Sequence, residues 1–409
     1  MLGVKPGPGL ARTRLVCLAI CLTIAGPAAD ARATGTPITY KAFKYPSSVE
    51  SPTYDMAQAK LWHHDGAWWA ALSSPAKDGI HLYELMADHS WRDTGAIVDP
   101  RPTGRADVLW DGAKLYVATA THSTEVSLAR LSYDKAARTY RMDAGFPVAI
   151  TRGGALTASI AKDSLGVLWA VFIQGAKVLV THTAADDAHW IPPFEPPGPR
   201  AHPTKAHDAM ASIVAFNQMV GIMWTNPDPG TFRFATHQDG APDSAWSKVE
   251  DALSRVGSND HVSLRAIPGD PQGRIYAAVK TSRRTPRDPP DAPGIMLLVR
   301  DRNGAWSRYP VSSVSENQTR PQLLLDPEGA TVYVFSSTYL HRDTIFYKSA
   351  SMDAPSFEGG PGSPFLKVPG AGLNNITTTK QIVDATTGIV AMSGANSNRT
   401  YYHAELPIP

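Results

Sequence analysis

The sequence predicts an all-β fold, a seven-bladed β-propeller built from four-stranded blades. An apolar run that breaks at a short Asp/Asn/Gly turn and resumes as an aromatic-rich run recurs seven times, at intervals of about fifty residues. No long stretch has helical periodicity. The glycines near these turns are Gly66, Gly112, Gly166, Gly221, Gly273, Gly329 and Gly388. A period of about fifty residues fits a propeller blade; a pair of β-sandwiches made from the same strands is the alternative.

Each repeat contains two predicted hairpins. The inner hairpins are predicted near residues 57–71, 106–118, 157–171, 211–224, 262–279, 321–335 and 377–392. The last strand of the outer hairpin starts at an aromatic residue, for example Trp91 in the first repeat and Trp306 in the fifth. Four short strands separated by Gly, Asp and Asn turns are typical of one blade.

The seventh repeat contains only three predicted strands. Residues 38–43 alternate between apolar and polar side chains with period two and have no hairpin partner of their own. We therefore predict that this N-terminal segment is the fourth strand of the seventh blade. Such a closure pairs the two ends of the domain and removes sheet edges that would otherwise promote aggregation.

Residues 1–33 have the pattern of a secretory signal peptide. Basic residues precede the apolar stretch 15–25, and a small-residue motif ends at Ala33. We expect cleavage near Ala33, a secreted protein that is extracellular or periplasmic, and a single propeller domain over residues 34–409. Both cysteines lie inside the signal, and no later segment reaches the ~20 apolar residues that span a bilayer.

The charge balance excludes some classes of partner. Removing the four basic residues and one acidic residue of the signal leaves 35 Lys and Arg against 36 Asp and Glu. A protein that binds nucleic acid or an anionic membrane through bulk electrostatics needs an excess of positive charge or a basic stripe. We expect neither partner, and we expect a monomer.

Two local patterns resemble known families. Ser351, Asp353 and Phe357 follow the order of an Asp-box, and the whole chain after the signal resembles the sialidase-like, BNR-repeat group of secreted bacterial propellers. The chain lacks the Arg-Ile-Pro segment of true sialidases, and that family has six blades. Residues 260–264 with 271–276 are similar to the innermost strand of BNR-type polysaccharide lyases such as the ulvan lyases. This second resemblance implies action on an acidic polysaccharide.

The loops that enter the innermost strands are the expected ligand face, because propellers place function on loops held by a rigid scaffold. A lyase that cleaves uronate-containing glycans must neutralise a carboxylate, remove the proton beside it and protonate the leaving oxygen. In this hypothesis Arg320 binds the carboxylate, His261 or His207 is the base, and Tyr339 is the acid.

Further residues on these loops are predicted to bind substrate. They are Asp55, Arg105, Asp107, His122, Asp208, Asp260, Arg283, Arg284, His341 and Asn375. The aspartates have a second interpretation, because Asp side chains often bond backbone amides at loop entrances.

Two other functions fit the same face. A glycoside hydrolase would use two carboxylates, one as acid and one as base or nucleophile, and Asp55, Asp107, Asp208 and Asp260 are the candidates. A glycan-binding or surface interaction propeller would use no catalytic group. The sequence contains no His-Glu-x-x-His, paired Cys-x-x-Cys, calcium loop or Gly-rich phosphate loop, so we expect no metal and no cofactor.

Overall fold

The computed structural model describes residues 1–4, 35–196, 209–226, 230–254, 261–281 and 288–409. Its contacts divide the chain into two units, Met1–Asp30 and Ala31–Pro409. The predicted signal peptide lies outside the described residues except for its first four positions, so its cleavage near Ala33 stays a prediction. The paragraphs below concern the second unit.

The second unit is a ring of seven antiparallel sheets, as the repeat predicts. Blades 1 and 2 consist of β2 (Leu61–His64), β3 (Ala67–Ser73), β4 (Ile80–Leu85) and β5 (Trp91–Asp99), then β6 (Arg105–Trp110), β7 (Leu115–Ala120), β8 (Val126–Asp134), β9 (Thr139–Met142) and β10 (Val148–Thr151). Blades 3 and 4 consist of β11 (Ala158–Lys162), β12 (Leu168–Gln174) and β13 (Lys177–His182), then β14 (Ala211–Phe216), β15 (Met219–Asn226), β16 (Thr231–Gln238) and β17 (Glu250–Ser254).

Blades 5 to 7 complete the ring. Blades 5 and 6 consist of β18 (Val262–Ala266), β19 (Ile275–Lys280), β20 (Pro293–Arg300) and β21 (Trp306–Ser313), then β22 (Gln318–Asp326), β23 (Thr331–Thr338), β24 (Thr344–Ser351) and β25 (Ser363–Lys367). Blade 7 consists of β26 (Leu373–Thr377), β27 (Ile389–Ala395), β28 (Thr400–Leu406) and β1 (Ile38–Lys44). Among the described residues, no helix is long and apolar enough to cross a membrane.

The N-terminal strand closes the ring, which confirms the predicted pairing of the chain ends. β1 runs antiparallel to β28, with Ile38 opposite Glu405 and Lys41 opposite Tyr402. Just after β1, the Tyr45 hydroxyl donates to the carbonyl of Ala395 at 3.0 Å, which ties the strand to β27 as well. Blade 7 therefore depends on both ends of the domain.

Two blades depart from the four-strand pattern at their outer edges. In blade 3, the fourth strand is reduced to the isolated bridges Val180–Phe194 and Thr183–Trp190. Two consecutive prolines, 192 and 193, lie between these bridges, and proline has no N–H for a ladder. In blade 2, β9 and β10 both pair with β8, so two short strands share the outer edge.

One of the seven repeat glycines is not in a turn. Gly221 lies within β15, opposite Thr236 of β16, whereas the turn itself is made by Asn217 and Gln218, both with positive φ. A Cβ on Gly221 would lie 2.4 Å from the ring of Phe234. This position therefore needs glycine because the Phe234 ring packs against it, and not because the chain turns here.

A short segment fills the middle of the ring. We call residues 55–60 the central strap; every one of them is at most 2% exposed. The Gln58 amide donates to the carbonyl of Ala158 in blade 3 at 2.9 Å, and the amide of Val108 in blade 2 donates to the strap carbonyl of Ala59 at 2.8 Å. From the far side, the Gln322 amide of blade 6 donates to the carbonyls of Met56 and Gln58 at 3.3 Å.

The strap separates the two ends of the ring. We call the end where the chain enters the innermost strands the entrance face, and the end where those strands finish the exit face. Met56 and Ala57 also pack in one apolar cluster with Met210 and Val262 of blades 4 and 5. Because the strap contacts blades on all sides, a ligand at one face is separated from the other by buried backbone.

Removing β1 should open blade 7. A chain that begins at Tyr45 loses the ladder to β28, and at about 0.5–1.5 kcal/mol for each hydrogen bond the loss amounts to several kcal/mol. We expect a lower urea midpoint and association through the bare edge of β28, measured by urea unfolding and gel filtration. The matched control begins at Thr36 and keeps β1. Equal midpoints for the two truncated chains would contradict this closure.

Candidate functional site

The structure describes only part of the predicted ligand face. His207, Asp208, Asp260, Arg283 and Arg284 lie outside the described residues, so their placement stays a prediction. The other predicted residues lie in blades 1, 2, 5, 6 and 7 or in the segments that enter them.

Two of the predicted catalytic residues are in direct contact at the entrance face. A guanidinium nitrogen of Arg320 donates to the Tyr339 hydroxyl at 2.9 Å. The Arg342 guanidinium lies 5.9 Å from the centre of the same ring. Arg320 and Tyr339 are both half-buried. The phenol of Tyr339 therefore lies beside the cations of Arg320 and Arg342. Positive charge at this place stabilises the negative charge that develops on a phenolate.

The backbone of Arg320 is strained. Its φ is +57°, a left-handed conformation that costs a non-glycine residue about 1–2 kcal/mol, and Pro321 follows it. The strand β22 has an irregular register between Thr319 and Gln322 at this point. Strain of this kind concentrates at functional sites, where the surrounding structure holds it. Here it accompanies the contact between the Arg320 side chain and Tyr339.

His261 immediately precedes β18, the innermost strand of the neighbouring blade, at a similar height. The Ser263 hydroxyl donates to the Gln322 side-chain oxygen at 3.0 Å, and these residues follow His261 and Arg320 by two positions each. His261 is 3% exposed. The adjacent segments 255–260 and 282–287 lie outside the described residues. The structure thus places three of the four predicted catalytic residues on adjacent blades, with the imidazole the most buried of the three.

Asp55 and Asp107 are fully buried and bond backbone amides. Asp107 accepts from the amides of Ala59 at 2.9 Å and Ile160 at 2.8 Å, and it pairs with the ammonium group of Lys380. Asp55 accepts from the amide of Ala57 at 3.3 Å. Both carboxylates are 0% exposed. Both aspartates therefore fit the second interpretation of the sequence, in which Asp side chains bond backbone amides.

Arg105 and His122 lie close enough at the entrance face for the Arg105 charge to act on the imidazole. The Arg105 guanidinium lies 4.5 Å from the centre of the Tyr54 ring and donates to the carbonyl of Leu156 at 3.3 Å. Partial burial lowers the pKa of His122, and the charge of Arg105 lowers it further. His122 is therefore a neutral donor or acceptor at pH 7.

The remaining predicted residues have different environments. His341 is exposed, and its ring lies 6.1 Å from that of Phe346. Asn375 is 1% exposed, and its backbone carbonyl accepts from the Thr53 hydroxyl at 2.8 Å. Asn375 thus anchors the chain just before the strap, while His341 is open to solvent.

Sequence reasoning missed a pocket at the exit face. It has a volume of about 360 Å³ and is lined by the ends of innermost strands or the residues that follow them in six blades. Arg265 and Lys380 lie in its lining, and Trp110 and Val214 contribute apolar wall. The signal was present for Lys60 and Arg265, which are charged residues in or beside runs that are otherwise apolar.

The buried cations of the ring centre exceed the carboxylates that face them. Burial lowers the pKa of Lys60 to about 8, although Asp55 and Asp107 oppose the shift. Burial also lowers the pKa of Arg265 to about 10, with Asp107 opposing, and it lowers the pKa of Lys380. Three cations therefore share two carboxylates. At each cation, burial is the largest cause of the lowered pKa.

The described ranges contain no group of three or more His, Cys, Asp or Glu side chains placed to hold a metal ion.

Comparison with known proteins identifies the fold. No family model matches the chain, and no curated protein sequence matches it. Among solved structures, the polysaccharide lyase Uly1 is 10% identical, covers 92% of this chain and 100% of its own, and superposes with a TM-score of 0.52. Kuenenia stuttgartiensis hydrazine synthase is 11% identical, covers 89% of this chain and 100% of that chain, with a TM-score of 0.55. These likenesses establish a shared propeller fold.

The stability of the protein should depend on pH through the buried Lys60. Its pKa is about 8 in the folded protein against 10.5 ordinarily, so between these values the unfolded chain binds more protons and stability rises with pH. We compare the unfolding free energy of Lys60→Met with that of the native protein. The advantage of the variant should fall by roughly 3 kcal/mol from pH 7 to pH 10.5. Urea unfolding at several pH values measures it, with exposed Lys367→Met as the control. A difference that does not change with pH would contradict the buried charge.

The pair of Asp107 and Lys380 should be strongly coupled. Asp107→Asn leaves the Lys380 ammonium without its carboxylate, and breaking a buried pair costs about 3–5 kcal/mol. Adding Lys380→Met to Asp107→Asn should restore part of that loss, so a double-mutant cycle on urea unfolding should give a coupling energy above about 1 kcal/mol. Additive losses would show that the two side chains act separately.

Proposed function

We propose that this protein is a secreted, carbohydrate-active propeller that cleaves an acidic, uronate-containing polysaccharide by β-elimination at its entrance face. The observation that carries the proposal is the contact between the Arg320 guanidinium and the Tyr339 hydroxyl at 2.9 Å. Export rests on the signal-like pattern of residues 1–33. The BNR-type resemblance of residues 260–264 also supports a lyase.

The chemistry of the pair fits the elimination. Arg320 binds the uronate carboxylate, and its charge makes the proton on the adjacent carbon more acidic. His261 or His207 takes that proton; the electron pair left behind forms a carbon–carbon double bond. The bond to the glycosidic oxygen breaks, and the oxygen takes a proton from Tyr339. The products are a new chain end with a hydroxyl and an unsaturated uronate, so atoms and charge balance.

The burial of Asp55 and Asp107 argues against a hydrolase that uses these two carboxylates. A glycosidase needs two carboxyl groups that reach the bond being cleaved. Asp55 and Asp107 are 0% exposed, and both accept backbone amides in the ring centre. Of the four candidate aspartates, that leaves Asp208 and Asp260, which lie outside the described residues. A glycan-binding propeller without activity uses the same face and differs in turnover.

The test is a screen of the purified protein against uronate-containing and neutral polysaccharides, following both the absorbance of unsaturated products and the release of reducing ends. We expect both signals on an acidic polysaccharide. Tyr339→Phe should lower kcat by about 10²–10⁴-fold, and Arg320→Gln should lower kcat/KM and raise KM. Arg141→Gln, on the outer strand β9, is the matched control and should leave activity unchanged.

Each other outcome selects a different function. Reducing ends without absorbance would indicate a hydrolase. Saturable binding without turnover would indicate a glycan-binding protein. A lyase activity that survives both Tyr339→Phe and Arg320→Gln would remove this pair from the mechanism, and unchanged activity in His261→Ala would leave His207 as the base.

A further inference from the structure

We propose that the exit-face pocket is a second ligand site, which binds a small organic monoanion with a carboxylate on an apolar ring or chain. The site is separate from the entrance face, because the central strap of residues 55–60 lies between them. It stands apart from the proposed lyase chemistry and does not depend on it.

The cavity has the size and walls of a small-molecule site. Its volume of about 360 Å³ is at the lower end of the range of ligand pockets, which are mostly apolar with a few placed polar groups. The apolar walls come from different blades, including Trp110, Val214, Ala215 and Pro268. Such walls favour an apolar ligand body over a strongly hydrated one.

The polar groups of the pocket centre on Arg265. Its side chain is 2% exposed, and one terminal nitrogen donates to the carbonyl of Leu264 at 2.8 Å while the other is 3.4 Å from the Gln322 side-chain oxygen. Its Nε has no hydrogen-bond partner among the described residues. Buried donors are nearly always satisfied, so this guanidinium has unused capacity for an anion.

Lys380 provides the second cation. Its ammonium group pairs with Asp107 and donates to the carbonyl of Ile160 at 2.8 Å. The charges of Lys380 and Arg265 act on each other unfavourably, which is the situation that a bound anion relieves. Asp107 forms a salt bridge with Lys380, whereas it acts on Arg265 only through its charge.

The ion pairs set the class of anion. The cations that line the pocket are Lys162, Arg265 and Lys380. Lys162 pairs with Asp111, and Lys380 pairs with Asp107. The hydrogen-bond partners of Arg265, in contrast, are the neutral oxygens of Leu264 and Gln322. A single carboxylate would complete the pairing of Arg265, whereas a phosphate ester at −1.5 to −2 would bring further negative charge for which the described lining holds no second cation without a carboxylate.

Three probes test the site on the full chain: phenylacetate, the neutral phenylacetamide, and inorganic phosphate. Saturation-transfer NMR and the thermal midpoint should show saturable binding of phenylacetate, with phenylacetamide and phosphate at least tenfold weaker. Arg265→Met should weaken phenylacetate binding tenfold or more. Ala215→Phe, which fills the pocket and keeps its charged residues, should do the same.

Variants at the other face distinguish this site from the proposed active site. Arg320→Gln should bind phenylacetate as the native protein does, whatever its effect on polysaccharide cleavage. Circular dichroism checks that Arg265→Met and Ala215→Phe fold. The proposal is overturned by the absence of phenylacetate binding at millimolar concentration, by equal binding of the amide or of phosphate, by binding that survives both pocket variants, or by binding that Arg320→Gln alone removes.

Discussion

The carboxylate of Asp107 holds the centre of this ring together. It belongs to blade 2, and its oxygens accept the amide of Ala59 from the central strap and the amide of Ile160 from blade 3. It also pairs with Lys380, which follows the innermost strand of blade 7. Repeated units in a ring contact mainly their neighbours, whereas the pairing of Asp107 with Lys380 joins blades 2 and 7, which are not adjacent. The strap stays central because Asp107 and the glutamines fix it there.

The strap gives the molecule two unlike openings. At the entrance face, the strained Arg320 lies against Tyr339 near a buried histidine. At the exit face, apolar walls surround Arg265 and Lys380. Burying Lys60 and Arg265 costs stability, as the lowering of both pKa values by burial indicates. A propeller that needed only a plug could use apolar residues, so the retained charges are consistent with a role in binding.

The sequence predicted what depends on local pattern. Turn chemistry and period two identify each hairpin, and the unpaired segment at residues 38–43 identified the closure with β28. Arg320 and Tyr339 were expected on one face because one was placed where the chain enters an innermost strand and the other between a second and a third strand; Gln318 lies opposite Thr338, so these two ends do meet.

Contacts between distant parts of the chain could not be predicted in this way. Asp107 and Lys380 lie 273 residues apart, and neither has a local signature of its partner. Asp55 and Asp107 were expected at a ligand face because they were placed on loops that enter innermost strands, although both are 0% exposed. Their depth depends on a segment that crosses the ring, and only the assembled ring shows which charged residues face inward.

Gln322 decides how independently the two faces act. Its side-chain oxygen accepts from Ser263 at 3.0 Å and lies 3.4 Å from Arg265, while its amide donates to the carbonyls of Met56 and Gln58. Coupling between sites requires an element with two arrangements of similar energy. Moving this side chain would leave buried strap carbonyls without a donor, at about 1–3 kcal/mol each. The present arrangement therefore favours a rigid wall, across which a ligand at one face would have little effect on the other face.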